Sequence, residues 1–225
     1  VTPLPNAMPP DLPDVPDGYR DRPPFPAVAA ETERWLGDDS SGHDMDHAWR
    51  VFDLGVRIAR AEGADDATVG VAALCHDLHR AMGDDGGVHP AESLETVRDV
   101  LTTAGVDEDR IGDVLHCVKV HDEYEFRGVE HEAKTPEAEV LRDADNLDAM
   151  GAVGIARTFA FSGVAGHRLW DPDGTEYGAL DHFAEKLLRL RDEMHTDTGR
   201  ALAAERHEYM AEFVDRFRAE WRGEQ

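Results

Sequence analysis

Four side chains far apart in the chain have the types that hold a transition metal: His47, the adjacent His76 and Asp77, and Asp145. Two imidazoles and two carboxylates form a mixed nitrogen and oxygen set that binds one divalent ion and leaves coordination positions open for water and substrate. The chemistry this points to is hydrolysis, since such an ion lowers the pKa of a bound water and polarises the bond to be broken. Nitrogen with carboxylate suits Mn²⁺, Fe²⁺, Co²⁺, Ni²⁺ or Zn²⁺, whereas Mg²⁺ favours oxygen alone. Asp77 can also hydrogen-bond the attacking water and act as its base.

The elements that must bring these residues together read as helices. Residues 43 to 62 carry Val51, Leu54, Val56, Ile58 and Ala59 at helical spacing, and Gly63 supplies a stop. A second helix is expected from Asp66 to Arg80, almost wholly apolar until it ends in the His-Asp pair. A short connection makes such a pair antiparallel, which sets His47, near the start of the first, beside the end of the second. Further helices are expected near 90–104, 108–121, 136–149, 150–162, 178–194 and 200–220, with Asp145 beside the apolar stripe of the 136–149 segment. No strand pattern, heptad run or repeat competes, so the fold class is all-α.

Nine of the twelve prolines fall in residues 1–26, read as a proline-rich arm preceding one helical domain over 27–225. The 225 residues include 48 acidic and 23 basic side chains, and only Lys119, Lys134 and Lys186 are lysines. A formal net charge of −25 disfavours binding to a nucleic-acid polymer and suggests a halophilic, salt-adapted protein. No apolar run is long enough to span a bilayer and no secretory signal is visible, so a soluble, cytoplasmic protein is expected, with a homodimer left open. Cys75 and Cys117 sit in apolar contexts and read as reduced core residues.

His43-Asp44-Met45-Asp46-His47-Ala48-Trp49-Arg50-Val51, the Cys-His76-Asp77-Leu doublet, and Asp143-Ala144-Asp145-Asn146-Leu147-Asp148-Ala149-Met150-Gly151-Ala152 together resemble the HD-domain phosphohydrolases. The match is closest to a small bacterial and archaeal subgroup similar to nucleotide pyrophosphohydrolases, and Gly154-Ile155-Ala156-Arg157-Thr158-Phe159 resembles it too. The resemblance covers roughly residues 30–165. It implies a single helical HD-type bundle with additional C-terminal helices, a metal-site core at about 40–165, and His47, His76, Asp77 and Asp145 as ligands. Leu78-His79-Arg80 follows the doublet where many relatives have isoleucine and glycine. The segment argues against the cyclic-dinucleotide branch and, lacking an acidic pair, against alarmone hydrolases.

A phosphorylated substrate needs cations. Arg50, three residues after His47, is the first candidate, although Asp46 or Asp53 can equally claim it as a surface pair. His79 and Arg80 follow the metal pair, and His121 matches a position where the family often has a pocket histidine. Lys134 is a further candidate, though a solvated lysine is the commoner case. Three residues are read as supports: His43, four residues before His47; Arg142, which can orient Asp145; and Asp148, which can hydrogen-bond a pocket group or face solvent. His167, His182, His195 and His207 read as surface residues, and Asp38-Asp39 as a solvated cap.

Two functions follow. One is a metal-dependent phosphohydrolase acting on a small phosphorylated metabolite, nucleotides foremost. The other is a non-catalytic sensor that binds metal and nucleotide and acts through a protein partner.

Overall fold

The computed structural model describes residues 11–37, 42–83, 87–129 and 133–224. Most of the loop at 83–87, the Asp38-Asp39 pair and the first ten residues of the arm lie outside them. Among the described residues, nine α-helices and four 3₁₀ segments account for the regular structure and there is no strand. The all-α class is thus observed.

Helix α3, Asp66–Cys75, is the axis of the fold: Thr68 to Cys75 are all buried. Asp65 starts it by accepting from the Ala67 amide at 3.0 Å. Around it pack α1 (Phe25–Leu36), α2 (Met45–Glu62), α5 (Glu108–Val120) and α6 (Pro136–Asp148), with α4 (Leu94–Thr103) against α5. Close approach depends on two glycines. A Cβ on Gly55 of α2 would stand 2.8 Å from Val69, and one on Gly70 of α3 would stand 2.7 Å from the Phe52 ring.

Residues 11–24 lie against this core. Tyr19 is buried, packs on Phe25 and Phe52, and donates to Asp66 at 2.8 Å. Arg57 and Arg60 donate to the carbonyls of Pro13 and Asp14.

The second expected helix is shorter than its apolar pattern suggests. After Cys75 the chain tightens into a 3₁₀ segment, His76–Ala81. Residues i and i+3 eclipse in that geometry, so Arg80 is carried over Asp77 and His79 over His76. The 178–194 segment likewise divides, into α8 (Ala179–Glu185) and a 3₁₀ stretch, Leu187–Glu193.

α7 (Gly151–Val164), α8 and the long α9 (Asp197–Trp221) form a second packed group. Their contacts are aromatic: Phe159, Phe183, Phe213 and Phe217 meet with centroids 5.7 to 6.2 Å apart. The group is fastened to α6 by Asp143, whose carboxylate accepts from the amides of His195 and Thr196 (2.9 and 2.8 Å) and the Thr196 hydroxyl (2.7 Å). These donors sit at the start of α9, where helix amides lack intrahelical partners. Burial dominates over these donors and holds the Asp143 pKa up at about 6.

Candidate metal centre and cavity

Local structure delivers each of the four residues to one point. Asp44 caps α2 by accepting from the His47 amide at 2.8 Å, which fixes His47 in the first turn. His76 and Asp77 stand where α3 gives way to its 3₁₀ continuation. Asp145 projects from the last turn of α6. The His47 and His76 Nε2 atoms are 3.2 Å apart. Asp77 Oδ2 lies 3.3 and 3.4 Å from them, and Asp145 Oδ1 3.4 and 3.8 Å.

This arrangement fits a cation. His47 Nδ1 is 2.8 Å from Asp148 Oδ2 and His76 Nδ1 2.8 Å from the Ala73 carbonyl, so each Nδ1 donates outward and each Nε2 is the atom left to bind a cation. Two imidazole nitrogens and two carboxylate oxygens therefore face one another. Ligands about 2.1 Å from an ion and at right angles to each other are about 3 Å apart, close to the spacings here. His47 and His76 are fully buried, while Asp145 keeps a fifth of its side chain exposed, so the centre opens on the Asp145 side.

The electrostatics agree. Burial opposes charge on His47, but Asp145, Asp148 and Asp77 together hold its pKa up at about 10, so the site favours positive charge, which an ion would supply in place of the Nε2 proton. Burial would raise the Asp145 and Asp77 carboxyls, yet the surrounding imidazoles hold both well below the usual range. Both oxygens of Asp77 are also held from outside the cluster. Oδ2 pairs with His43 Nδ1 at 2.7 Å, and Oδ1 accepts from Arg80 Nε at 3.1 Å.

Asp148 is the hub behind His47. Arg50 reaches both of its oxygens, at 2.8 and 3.1 Å, and Arg157 donates to Oδ2 at 2.8 Å. Burial raises the Asp148 carboxyl, but His47, Arg50 and Arg157 bring it to about 2. Arg50 is thus engaged with a carboxylate from another helix, neither with Asp46 or Asp53 nor with the cavity. Its fork supports the support of a histidine.

A cavity of about 790 Å³ opens from Asp145. His43 and Arg80 line it; His79 and His121 lie behind the wall, both buried, with rings 5.3 Å apart. His79 Nδ1 is 3.2 Å from the His76 carbonyl, and His121 Nε2 stands 3.8 Å from Asp77 Oδ1. Lys134 is exposed and outside the cavity, its amide 3.4 Å from His116. Arg142, expected to orient Asp145, is fully buried and donates to Glu193 at 3.2 Å.

The cations that do line the cavity are Arg80, Arg127, Arg157 and Lys186. Only Arg80 is foreseen as a substrate contact. Arg127 and Lys186 both stand over the Tyr124 ring, 5.0 and 4.8 Å from its centroid. Lys186 was legible only as one of three lysines in an arginine-rich chain, and Arg157 as part of a motif without an assigned role. His167, exposed as expected, and His182, half-buried, also line the cavity. Both thiols are buried and pushed upward by burial, Cys75 to about 12, which removes them from the chemistry.

Residues 45–150 match the HD domain. The uncharacterised protein YpgQ of Bacillus subtilis is 44% identical over 182 residues, 80% of this chain and 84% of its own length. The chain belongs to the HD-domain family. An HD-superfamily hydrolase from Bacillus thuringiensis has the same fold, with a TM-score of 0.68, 33% identity, and coverage of 87% of this chain and 95% of its own. YpgQ has been crystallised in complex with ADP; that structure superposes with a TM-score of 0.69 at 38% identity, covering 88% of this chain and all of the other. HD-domain membership and the His/Asp cluster together support a metal-dependent hydrolase. No helix among the described residues is long and apolar enough to cross a membrane.

Proposed function

We propose that this HD domain is a phosphohydrolase that cleaves a phosphate ester or phosphoanhydride of a small metabolite, a nucleotide foremost, with His47, His76, Asp77 and Asp145 holding one divalent ion. The observation that carries the reading is the convergence of two imidazole nitrogens and two carboxylate oxygens at the head of a cavity whose walls bear four cations. Bound there, a transition metal such as Mn²⁺ would supply Lewis acidity and an activated water. Asp148 and the Ala73 carbonyl fix the tautomers of the two histidines. His43 and Arg80 fix the Asp77 carboxylate, the proposed base for the attacking water. Arg80, Arg127, Arg157 and Lys186 supply positive charge for phosphate oxygens in a chain that is otherwise strongly acidic. The YpgQ–ADP complex supports a nucleotide as ligand.

The test is metal-stripped protein at high salt, suited to a net charge of −25, supplied with Mn²⁺, Co²⁺, Ni²⁺ or Mg²⁺ and nucleoside mono-, di- or triphosphates. Phosphate and pyrophosphate are measured separately, which identifies the bond broken. Metal-dependent release is expected. If no metal gives turnover while His76→Ala still alters nucleotide binding, the protein is a sensor and the catalytic reading fails.

A further inference from the structure

Beyond the segment that matches the HD domain, the cavity wall changes character. Phe161 near the end of α7, His167 just after it and Tyr177 just before α8 line it together. Their rings form an edge-to-face row: Phe161 to His167 at 6.4 Å and 67°, His167 to Tyr177 at 5.5 Å and 82°. Phe161 and Tyr177 are 47% and 43% exposed, so neither ring is covered by the rest of the fold. Exposed aromatic faces lining a concave, partly apolar volume are the common construction for holding a planar ligand.

The loop that bears two of the rings is well braced. Asp171 accepts from the amides of Thr175 and Glu176 at 2.7 and 2.9 Å, and Ala179 and Leu180 donate to the carbonyls of Arg168 and Leu169. His167 and Tyr177 are therefore held in place before any ligand arrives. The Tyr177 hydroxyl lies 3.4 Å from His182 Nδ1, so a polar edge closes the row. Arg127 and Lys186 line the same cavity, and Arg80 stands at its metal end.

We infer that Phe161, His167 and Tyr177 form a base-recognition subsite, which clasps a flat heteroaromatic ring while the attached phosphates reach Arg80 and Lys186 beside the metal cluster. The inference rests on the phosphohydrolase reading and adds to it where selectivity resides: in residues 161–182, outside the matched 45–150 core. A stacked base contributes enough that loss of one ring lowers affinity about tenfold.

ADP and inorganic pyrophosphate differ by the nucleoside, so their affinities for the full-length, Mn²⁺-loaded protein, measured by isothermal titration calorimetry, isolate the subsite. We expect ADP to bind more tightly than pyrophosphate, and the ratio to fall about tenfold in both Tyr177→Ala and Phe161→Ala. Tyr177→Phe, which keeps the ring, should preserve the ratio. An unchanged ratio in both alanine variants, or the same fall in Tyr177→Phe, overturns the subsite. Pyrophosphate binding as tightly as ADP to the unmodified protein overturns the subsite alone. If neither probe binds and no nucleotide is turned over, the phosphohydrolase reading falls as well.

Discussion

Around the metal cluster, side chains are locked by one another: His47 by Asp148, Asp148 by Arg50 and Arg157, Asp77 by His43 and Arg80. On the far wall of the same cavity, Phe161, His167 and Tyr177 meet one another edge to face and stay exposed. The first region is built so that four atoms keep one geometry, which a reacting centre requires. The second is built on a braced loop with open faces, which suits recognition, where one ring can replace another at small cost. On the proposed reading, chemistry and selectivity fall on different stretches of chain.

The division can be attacked at its strongest point first. His76→Ala should abolish stoichiometric Mn²⁺ in metal analysis and lower phosphohydrolase turnover by about a thousandfold or more, since the ion's contribution is several kcal/mol. Asp143→Ala should do something different. It strands three buried donors at the start of α9 and should cost about 2–4 kcal/mol in denaturant unfolding, with little change in metal content of the folded protein. If it instead strips the metal as thoroughly as His76→Ala, the two regions are not separable. Asp148→Asn removes the anion behind His47 and should weaken Mn²⁺ binding about 10- to 100-fold, read by titration calorimetry.

The smallest effect concerns the far wall. Burial, aided by Lys186 and Arg127, holds the His182 pKa down at about 4 from its ordinary 6.5. The unfolded chain therefore binds the proton more readily between these values. The contribution of His182 to stability is complete above 6.5 and is lost as the pH falls toward 4. Thermal melts from pH 7 to 4 should fall less steeply for His182→Gln than for the unmodified protein. Equal slopes would place His182 in solvent, not in the cavity wall.

Much of the helical core was legible because α2, α5 and α6 are amphipathic and Gly63 ends the first of them. The end of α3 was not, since apolar periodicity continues through Leu78 and cannot tell an α-helix from a 3₁₀ turn. The four cluster residues could be named from their types and family pattern, because a metal set needs few and specific atoms. The cations could not. Arg50 and Lys134 are near the motifs in sequence, yet one is taken by Asp148 and the other faces solvent. Arg127, Lys186, His167 and His182 reach the cavity only through tertiary folding of the C-terminal part, which local spacing does not encode.

Asp143 and Asp145 stand two residues apart on α6, roughly 200° apart around its axis, one seating α9 and the other facing the cluster. The seat is tight: a Cβ on Gly199 would come within 2.1 Å of Asp143 Oδ2. Inserting or deleting a single residue just ahead of 143 would turn both carboxylates by about 100° and withdraw them together. Chain length is therefore fixed along α6, whereas the loop at 165–178 can lengthen or shorten at the cavity rim. Descendants of this sequence can acquire new ligands there without disturbing the centre that would act on them.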